Sequence, residues 1–335
     1  MEKVDVIDNY LTRQKRRVLY PQMGGMGLQL VPYTMYQIFE DGDKQLEVAK
    51  RIEDNCPSDF IYPMDLGMAF LEKLGIPLKK PEYDFPSVEK GMVLTEEQVK
   101  KLPQIELYED KIVSEYIRGL HLIVENIEKP MMAAVVGPFT MAGEMAGVSH
   151  WVKATIKDAT YVDALMNYCT EYVMKLVEET IKSGATVIQI SEPTCACVRP
   201  AYFEKNIVPF LKRIFDRIHQ SGRLSALHIC GNTKKHLPGM LKTECQIIGV
   251  DQVMSIKEMM QEIPDNVVLA GNIDPVKTML QGTPEEVRRK TEELLDSMEG
   301  HKNFMPSFGC DCPINTPIEN LNMVIDIVKG WKIKE

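Results

Sequence analysis

The 335-residue chain lacks the features that mark several protein classes. No apolar run approaches the roughly 18–20 residues that a membrane-spanning helix needs, and the N-terminus has no apolar signal-peptide core. Low-complexity tracts, fixed-period repeats and Gly/Ser linkers are also missing. We therefore expect a cytoplasmic globular protein that has no membrane partner.

The chain is also short of positive charge and of nucleotide-binding motifs. Its 39 Lys and Arg residues against 48 Asp and Glu give a net charge of −9, whereas nucleic-acid-binding proteins are typically basic. The glycine cluster at 24–27 lacks the G-x-G-x-x-G spacing because residue 30 is Leu. Neither a P-loop GK[ST] nor a G-x-S-x-G nucleophile motif is present. These absences argue against a nucleic-acid partner, nucleotide binding and serine-hydrolase chemistry.

What the sequence does contain is a repeated alternation of short apolar runs and longer amphipathic segments, which is typical of parallel strands joined by crossover helices. Pro21, Pro63 and Pro306 weaken three of the runs as strands. The eight predicted strands are Arg17–Met23, Phe60–Asp65, Met132–Gly137, Thr186–Ser191, Ser225–Cys230, Gln246–Val250, Val267–Gly271 and Phe304–Gly309. The long predicted helices are Glu109–Glu128, Asp158–Ser183, Pro200–Gln220, Pro284–Glu299 and Pro317–Lys329.

This pattern predicts an α/β protein with a (β/α)8 TIM barrel, and a doubly wound open sheet is the competing architecture. We expect one domain over residues 1–335, with a polar, Pro-rich insertion around 77–105. In a TIM barrel the chemistry lies at the C-terminal ends of the strands. Polar and metal-capable residues gather at those predicted ends, namely Asp65, Gly137, Glu192, His228, Cys230, Asp251, Asn272 and Cys310.

Two of these residues, His228 and Cys230, are two positions apart on one strand and therefore point to the same face. Imidazole and thiolate together suit zinc better than magnesium or calcium. Cys310, at the end of the last strand, can supply a third ligand at the same mouth, although Cys312 is an alternative. Cys195 and Cys197 form a rival pair whose spacing is short for zinc.

The acidic strand-end residues Glu192 and Asp251 have three readings: an oxygen ligand, an acceptor for an imidazole N–H, or a helix cap. Gly137 opens a loop into a helix whose start could hold an anion, although a tight turn is the alternative. Arg199 is either an anion contact for the substrate or a surface arginine. The basic run 234–236 is predicted to be a solvated turn.

At these strand ends the sequence resembles the uroporphyrinogen decarboxylase superfamily, from about Phe60 to the C-terminus. The stretches that carry the resemblance are FIYPMDLGMAFLEKLG at 60–75, VGPFTMA at 136–142, QISEP at 189–193, HICGN at 228–232, AGNIDP at 270–275 and NTPIEN at 315–320. Asp65 matches the decarboxylase aspartate. The N-terminal arginine clamp of the decarboxylases is replaced by YPQMGGM at 20–26, their tyrosine by a residue around Glu144, and their last-strand histidine by Cys310.

Within that superfamily the chain is more similar to the methylcobalamin:coenzyme M methyltransferases, whose zinc motif is His-x-Cys followed by a Cys at the last strand. The resemblance implies zinc on His228, Cys230 and Cys310. It also implies a small thiol acceptor such as coenzyme M or homocysteine, and a methylcobalamin or corrinoid donor, often presented by a small corrinoid protein. We assign catalytic roles to Asp65, Glu192 and Asp251, and cofactor contacts to Gly137 and Asn272.

Three other functions compete with this prediction. A corrinoid-pathway methyltransferase with another donor or acceptor is the nearest alternative. A porphyrinogen decarboxylase, which needs no metal, is the second. The third is a corrinoid- or metal-binding accessory protein without turnover. Turnover of methylcobalamin with a panel of thiols separates the predicted enzyme from the first and third alternatives, and metal content separates it from the second.

Overall fold

A computed structural model describes residues 15–333 of the chain. Two short strands form an antiparallel hairpin, and six strands form one parallel sheet in chain order. The hairpin strands are β1 (Leu78–Lys79) and β2 (Ser87–Val88). The sheet strands are β3 (Met132–Val136), β4 (Val187–Ser191), β5 (Leu224–Ile229), β6 (Ile247–Val250), β7 (Val268–Ile273) and β8 (Phe304–Phe308).

The first two predicted strands are wrong as regular strands, because each makes a single parallel bridge. Tyr20 pairs with Ser307 at one edge of the sheet, and Ile61 pairs with Met131 at the other. Both segments contain a proline, which cannot donate a ladder hydrogen bond. Between them, Asp59 accepts from the backbone N–H of Leu19 at 3.0 Å, so side-chain bonding supplements the backbone where the barrel closes.

The inner core shows that all eight positions face one barrel interior. A cluster of buried apolar residues receives side chains from both bridged segments and from each of the six strands. Its members are Val18, Tyr20, Phe60, Tyr62, Met132, Ala134, Val187, Leu224, Ala226, Ile247, Val268, Ala270 and Met305. A second, larger core lies between the strands and the helices. The (β/α)8 fold class is thus confirmed, with six regular strands and two extended segments.

Helices fill the connections between strands. They are α1 (Met35–Phe39), α2 (Gly42–Asn55), α3 (Glu96–Val99), α4 (Lys111–Asn126), α5 (Pro138–Ala146), α6 (Val148–Lys157), α7 (Ala159–Ser183), α8 (Pro200–Tyr202), α9 (Val208–Gln220), α10 (Leu237–Lys242), α11 (Ile256–Met260), α12 (Pro284–Ser297) and α13 (Ile318–Gly330). The predicted helix over 200–220 is divided, because a π-helical turn at Phe203–Ile207 separates α8 from α9. Within residues 15–333, none of the helices has the length and apolarity to cross a membrane.

Helix ends follow local chemistry. The Asp158 side chain caps α7 by accepting from the N–H of Tyr161, and α7 ends at Gly184, whose φ is +97°. Thr283 caps α12 ahead of Pro284 in the first turn. These caps fix where α7 begins and ends and where α12 begins.

Candidate active site

Three donor side chains converge at the mouth of the barrel. His228 Nε2 lies 3.2 Å from Cys230 Sγ, and Cys230 Sγ lies 3.3 Å from Cys310 Sγ. One donor atom from each residue lies within 4.8 Å of the others. His228 lies on β5 and Cys230 directly follows that strand, while Cys310 lies two residues after the end of β8. The arrangement of one imidazole nitrogen and two sulfurs matches the donor set that zinc prefers.

The thiols of Cys230 and Cys310 lie within hydrogen-bond distance of each other. Hydrogen bonds from Cys230 and His228 lower the pKa of the Cys310 thiol well below its usual range, although burial opposes this. The same hydrogen bond to Cys310, with burial, raises the pKa of Cys230. One sulfur is therefore readily available as a thiolate, which is the form that binds a metal ion.

The other cysteines lie apart from this cluster. Cys312 is 3% exposed and packs in the outer apolar core, so it points away from the mouth. Cys195 is fully buried and Cys197 is exposed, and neither belongs to the group of candidate ligands found within residues 15–333. The geometry therefore brings Cys310 to His228 and Cys230, and it leaves the rival pair outside.

Glu192 does not reach the donor cluster with its carboxylate. It is fully buried, and it accepts hydrogen bonds from the N–H groups of Phe139 and Thr140 and from the Thr140 hydroxyl, at 2.7–2.9 Å. The start of α5 thus holds an anionic group, as a helix N-terminus can, but that group is the protein's own carboxyl. Burial raises the pKa of Glu192 to about 7, and these hydrogen bonds limit the rise.

Gly137 is required by the same contact. A Cβ atom at this position would lie 2.3 Å from the Glu192 side chain, so only glycine lets the carboxyl approach α5. The predicted cofactor residue Gly137 therefore meets Glu192 in the structure. Its second predicted role, that of a tight entry into a helix, is consistent with its place as the N-cap of α5.

Asp251 holds the backbone next to the metal-capable residues. Its carboxylate accepts from the N–H of Gly231 at 2.7 Å, directly after Cys230, and from the N–H of Val253 at 2.9 Å. Gly231 has a φ of +87°, so the chain turns sharply there. Asn272 donates to the carbonyls of Asp251 and Met254 and so fixes the following loop. Asp251 and Asn272 thus shape the mouth through the backbone.

The imidazole of His228 keeps one nitrogen unused. Nδ1 is buried and has no hydrogen-bond partner among residues 15–333. A Cβ at Gly249 would lie 2.8 Å from this atom, so the glycine on β6 provides the space for the ring. With Nε2 directed at the sulfurs, the ring orientation is set by packing.

Two carboxyl groups stand beside Cys310, and the sequence analysis identified only one. Asp65 accepts from the N–H of Gly67 at 2.8 Å, and burial raises its pKa, with a smaller contribution from Cys310. Asp311 lies close to Asp65, and burial together with that neighbour raises its pKa well above the usual range. Sequence reasoning does not identify Asp311, because the two cysteines that flank it are the metal-capable residues of this segment. Its position next to a candidate ligand was the available signal.

The predicted insertion reaches this part of the mouth. Phe85 lies between β1 and β2 and packs over Gly25 and Gly67, where added Cβ atoms would lie 2.9 and 3.0 Å from its ring. Asp311 Oδ2 would be 3.7 Å from a Cβ at Gly25. The glycines near residue 25 therefore serve close packing of an aromatic ring beside the acidic pair, which the sequence did not indicate.

The basic segment after β5 is only partly a solvated turn. Lys234 and Lys235 are exposed, but the prediction is wrong for His236, which is 5% exposed. Its Nε2 lies 2.9 Å from the carbonyl of Val198, and its ring packs edge-on against Phe203. Arg199, the predicted anion contact, is exposed next to this contact.

Comparison with known proteins identifies one matching family model, similar relatives and a similar solved structure. The family model for uroporphyrinogen decarboxylase (URO-D) matches residues 25–331. A methylcobamide:CoM methyltransferase from Methanosarcina acetivorans is 30% identical over 251 residues, covering 74% of this chain and 72% of the relative. A uroporphyrinogen decarboxylase from Prochlorococcus marinus is 25% identical, covering 86% of this chain and 90% of the relative. The solved structure of a methyltransferase from Methanosarcina mazei superposes with a TM-score of 0.83 at 18% identity, covering 94% of this chain and 96% of that one.

Proposed function

This chain belongs to the uroporphyrinogen decarboxylase family, and within it we propose a zinc-dependent methyltransferase that moves a methyl group from a methylated corrinoid to a small thiol. The observation that carries the proposal is the convergence of His228, Cys230 and Cys310 within 4.8 Å at the barrel mouth. The 30% identical relative, which its name describes as a methylcobamide:CoM methyltransferase, supports the type of donor and acceptor.

The donor chemistry of the three residues fits zinc. Two thiolates balance the charge of Zn²⁺, and three protein ligands leave one position for a substrate, as in catalytic zinc sites. Bound zinc would supply a Lewis acid that lowers the pKa of an incoming thiol. The lowered pKa of Cys310 and the free Nδ1 of His228 are both compatible with Nε2 and the two sulfurs acting as ligands.

The chain's own residues have separate tasks in this reaction. His228, Cys230 and Cys310 hold the site, while Asp251 fixes the turn after Cys230. Glu192 anchors α5 to the strand ends, because it bonds two amides at the start of that helix. Asp65 faces the mouth, where an acceptor would lie. These contacts fix the positions of the residues around the mouth, and a transfer between two bound reactants requires such fixed positions.

The proposed methyl transfer needs no added oxidant or reductant. The acceptor sulfur loses its proton to solvent and forms the new S–C bond. The Co–C bond of the donor breaks, and its electron pair stays on cobalt, which passes from Co(III) to Co(I). A free methylcobalamin or a small corrinoid protein can supply the methyl group, and we propose the second as the physiological partner.

The decarboxylase alternative has less support from the geometry. A clamp for several carboxylates requires arginines at the mouth, but the segment over 20–26 supplies none. Arg17, just before it, is 2% exposed and bonds backbone carbonyls at the opposite end of the barrel. The mouth has the two carboxyl groups of Asp65 and Asp311 near Cys310 instead, and a carboxyl group offers no cation to a porphyrinogen carboxylate.

Paired cysteine variants test the proposal. Purified protein should contain about one zinc per chain and consume methyl-Co(III) absorbance when methylcobalamin and thiols are supplied. Cys310→Ala should lose both the metal and turnover. Cys312→Ala is the matched control, because this buried cysteine lies in the apolar core, and it should keep zinc at some cost in stability. Metal retained in Cys310→Ala and lost in Cys312→Ala would reject the proposed ligand set.

A further inference from the structure

A small cavity lies at the carboxyl ends of β3 and β4, where Val136 and Ser191 are on its wall. Its volume is about 120 Å³, and its walls are mostly apolar, with Tyr116, Ala134 and Leu176 among them. The carboxyl of Asp65 is the one charged group on walls formed by the described residues. The cavity is thus large enough for a few heavy atoms, and it places a single carboxyl group next to them.

Two residues of the cavity wall connect it to the candidate ligands, none of which lines the cavity itself. Ser191, on its wall, is the register partner of His228 in the parallel pair of β4 and β5. Asp65, also on the wall, lies close enough to Cys310 to interact with it electrostatically. An acceptor whose sulfur occupies the open position at the cluster would therefore extend its tail toward Asp65.

No positive side chain balances this carboxylate. Asp65 bonds the N–H of Gly67, and no ion pair to it is found among residues 15–333. Asp311 adds a second carboxyl group nearby rather than a cation. Arg199 is exposed and absent from the cavity walls. An anionic tail would be desolvated against like charge here, whereas a cationic tail would gain a charge-assisted hydrogen bond.

We propose that the acceptor thiol carries a cationic tail, an ammonium group that pairs with Asp65, and that the cavity discriminates against sulfonate tails. The inference rests on the proposed function, because it names the acceptor class of that site. It also separates this chain from the methylcobamide:CoM relative, since coenzyme M ends in a sulfonate.

Three thiols of equal chain length test the inference. They are 2-aminoethanethiol, 2-mercaptoethanol and 2-mercaptoethanesulfonate, which share a two-carbon chain and end in a cationic, a neutral and an anionic group. Binding to the zinc-loaded chain is measured by calorimetry, and kcat/KM is measured with methylcobalamin. The amine should exceed the sulfonate by about 10- to 100-fold in both readouts, with the alcohol between them, given the usual strength of hydrogen bonds to charged groups.

Two variants test whether Asp65 causes the preference for the amine thiol. Asp65→Asn keeps an oxygen for the N–H of Gly67 but removes the charge, so the amine and the sulfonate should approach parity while zinc content is retained. Arg199→Gln is the matched control, and it should leave the order of the three thiols unchanged. A preference of the wild type for the sulfonate overturns the inference. Loss of the preference for the amine in Arg199→Gln overturns it as well.

The outcomes also separate this inference from the proposed function. If the amine binds best but no thiol is methylated, the methyl transfer is rejected and the cavity assignment stands. If all three thiols are methylated with the sulfonate preferred, the transfer stands and the cavity assignment is rejected. If no thiol binds or reacts, both are rejected.

Discussion

The two ends of the barrel use buried polar groups in opposite ways. At the N-terminal end, the guanidinium of Arg17 donates to the carbonyls of Met298, His301 and Phe304 and stacks on the Phe304 ring. At the mouth, Asp65 lacks an ion pair among the described residues, and Nδ1 of His228 lacks a hydrogen-bond partner there. A guanidinium that donates to three backbone carbonyls stabilises the fold even though its Nε has no partner among residues 15–333, whereas a polar group left open at the mouth is available to a ligand.

Two buried histidines, one on β5 and one in the turn that follows it, provide the largest contrast. His228→Ala should lower zinc affinity by at least about 100-fold, because one of three ligands is lost. His236→Ala should keep zinc and instead lose about 1–3 kcal/mol of stability, because the carbonyl of Val198 loses its partner. Metal titration and urea unfolding of both variants measure the two effects. Equal zinc loss in both variants would erase the distinction between the ligand and the structural histidine.

Arg17, at the N-terminal end of the barrel, provides the second test of the comparison. Arg17→Met should destabilise the fold by about 3–5 kcal/mol, because the carbonyls of Met298 and His301 lose their donors in a buried setting. Arg17→Lys retains the charge but not the fork of donors, so it should fall between the wild type and Arg17→Met. Urea unfolding gives the loss, and zinc stoichiometry of the folded fraction should not change. Altered zinc content would mean that the two ends are coupled.

The sequence predicted the fold class and the six regular strands well, because alternating apolar runs and helix caps are local signals. It could not show that Arg17–Met23 and Phe60–Asp65 pair through single bridges, since that depends on which N–H groups remain beside Pro21 and Pro63. Closure through the Asp59 side chain is likewise a contact between distant segments.

The site was predictable only in part, for a similar reason. Strand periodicity was enough to bring His228 and Cys230 to one face, and the barrel brought Cys310 to them. It could not decide between Cys310 and Cys312, because that depends on which side chain the turn directs into the outer core. The role of Glu192 at the start of α5 required the position of a helix from another connection.

Glu192 is intermediate between the two ends of the barrel. It is a buried carboxyl group near the mouth, but its oxygens accept hydrogen bonds from the start of α5. Its pKa is raised to about 7 by burial, against a usual value of 4.5, so the folded state binds the proton more tightly than the unfolded state. Its contribution to stability is therefore fully present below about pH 4.5 and is lost as pH rises through about 7. Urea unfolding from pH 4.5 to 8 should show this slope in the wild type.

Glu192→Gln is the control for that slope. It does not titrate, so its stability relative to wild type should improve as pH rises. At low pH it should be less stable by about 1–3 kcal/mol, because an amide nitrogen then faces the N–H groups at the start of α5. An unchanged slope in the variant would show that another group carries the pH dependence.

The smallest effect lies between the two ends, in a polar layer inside the barrel. The hydroxyl of Tyr20 donates to Gln189 Oε1 at 2.5 Å, and Gln22 Nε2 donates to the same oxygen at 3.3 Å. Tyr20→Phe should therefore cost only about 1 kcal/mol, since the oxygen keeps one donor. Tyr116→Phe is the matched control, because its hydroxyl makes a longer bond of 3.4 Å to the carbonyl of Ala134, and it should cost less.

Urea unfolding resolves that difference only if both variants retain the wild-type dependence on denaturant. Zinc content should be unchanged in each, because neither hydroxyl reaches the donor cluster. A loss well above 1 kcal/mol in Tyr20→Phe would mean that Gln189 reorients when its nearer donor is removed. The Gln189 amide also donates to Ser191 Oγ at 2.9 Å, on the wall of the acceptor cavity. Reorientation would then appear as a change in thiol affinity, which would connect the inner layer of the barrel to its mouth.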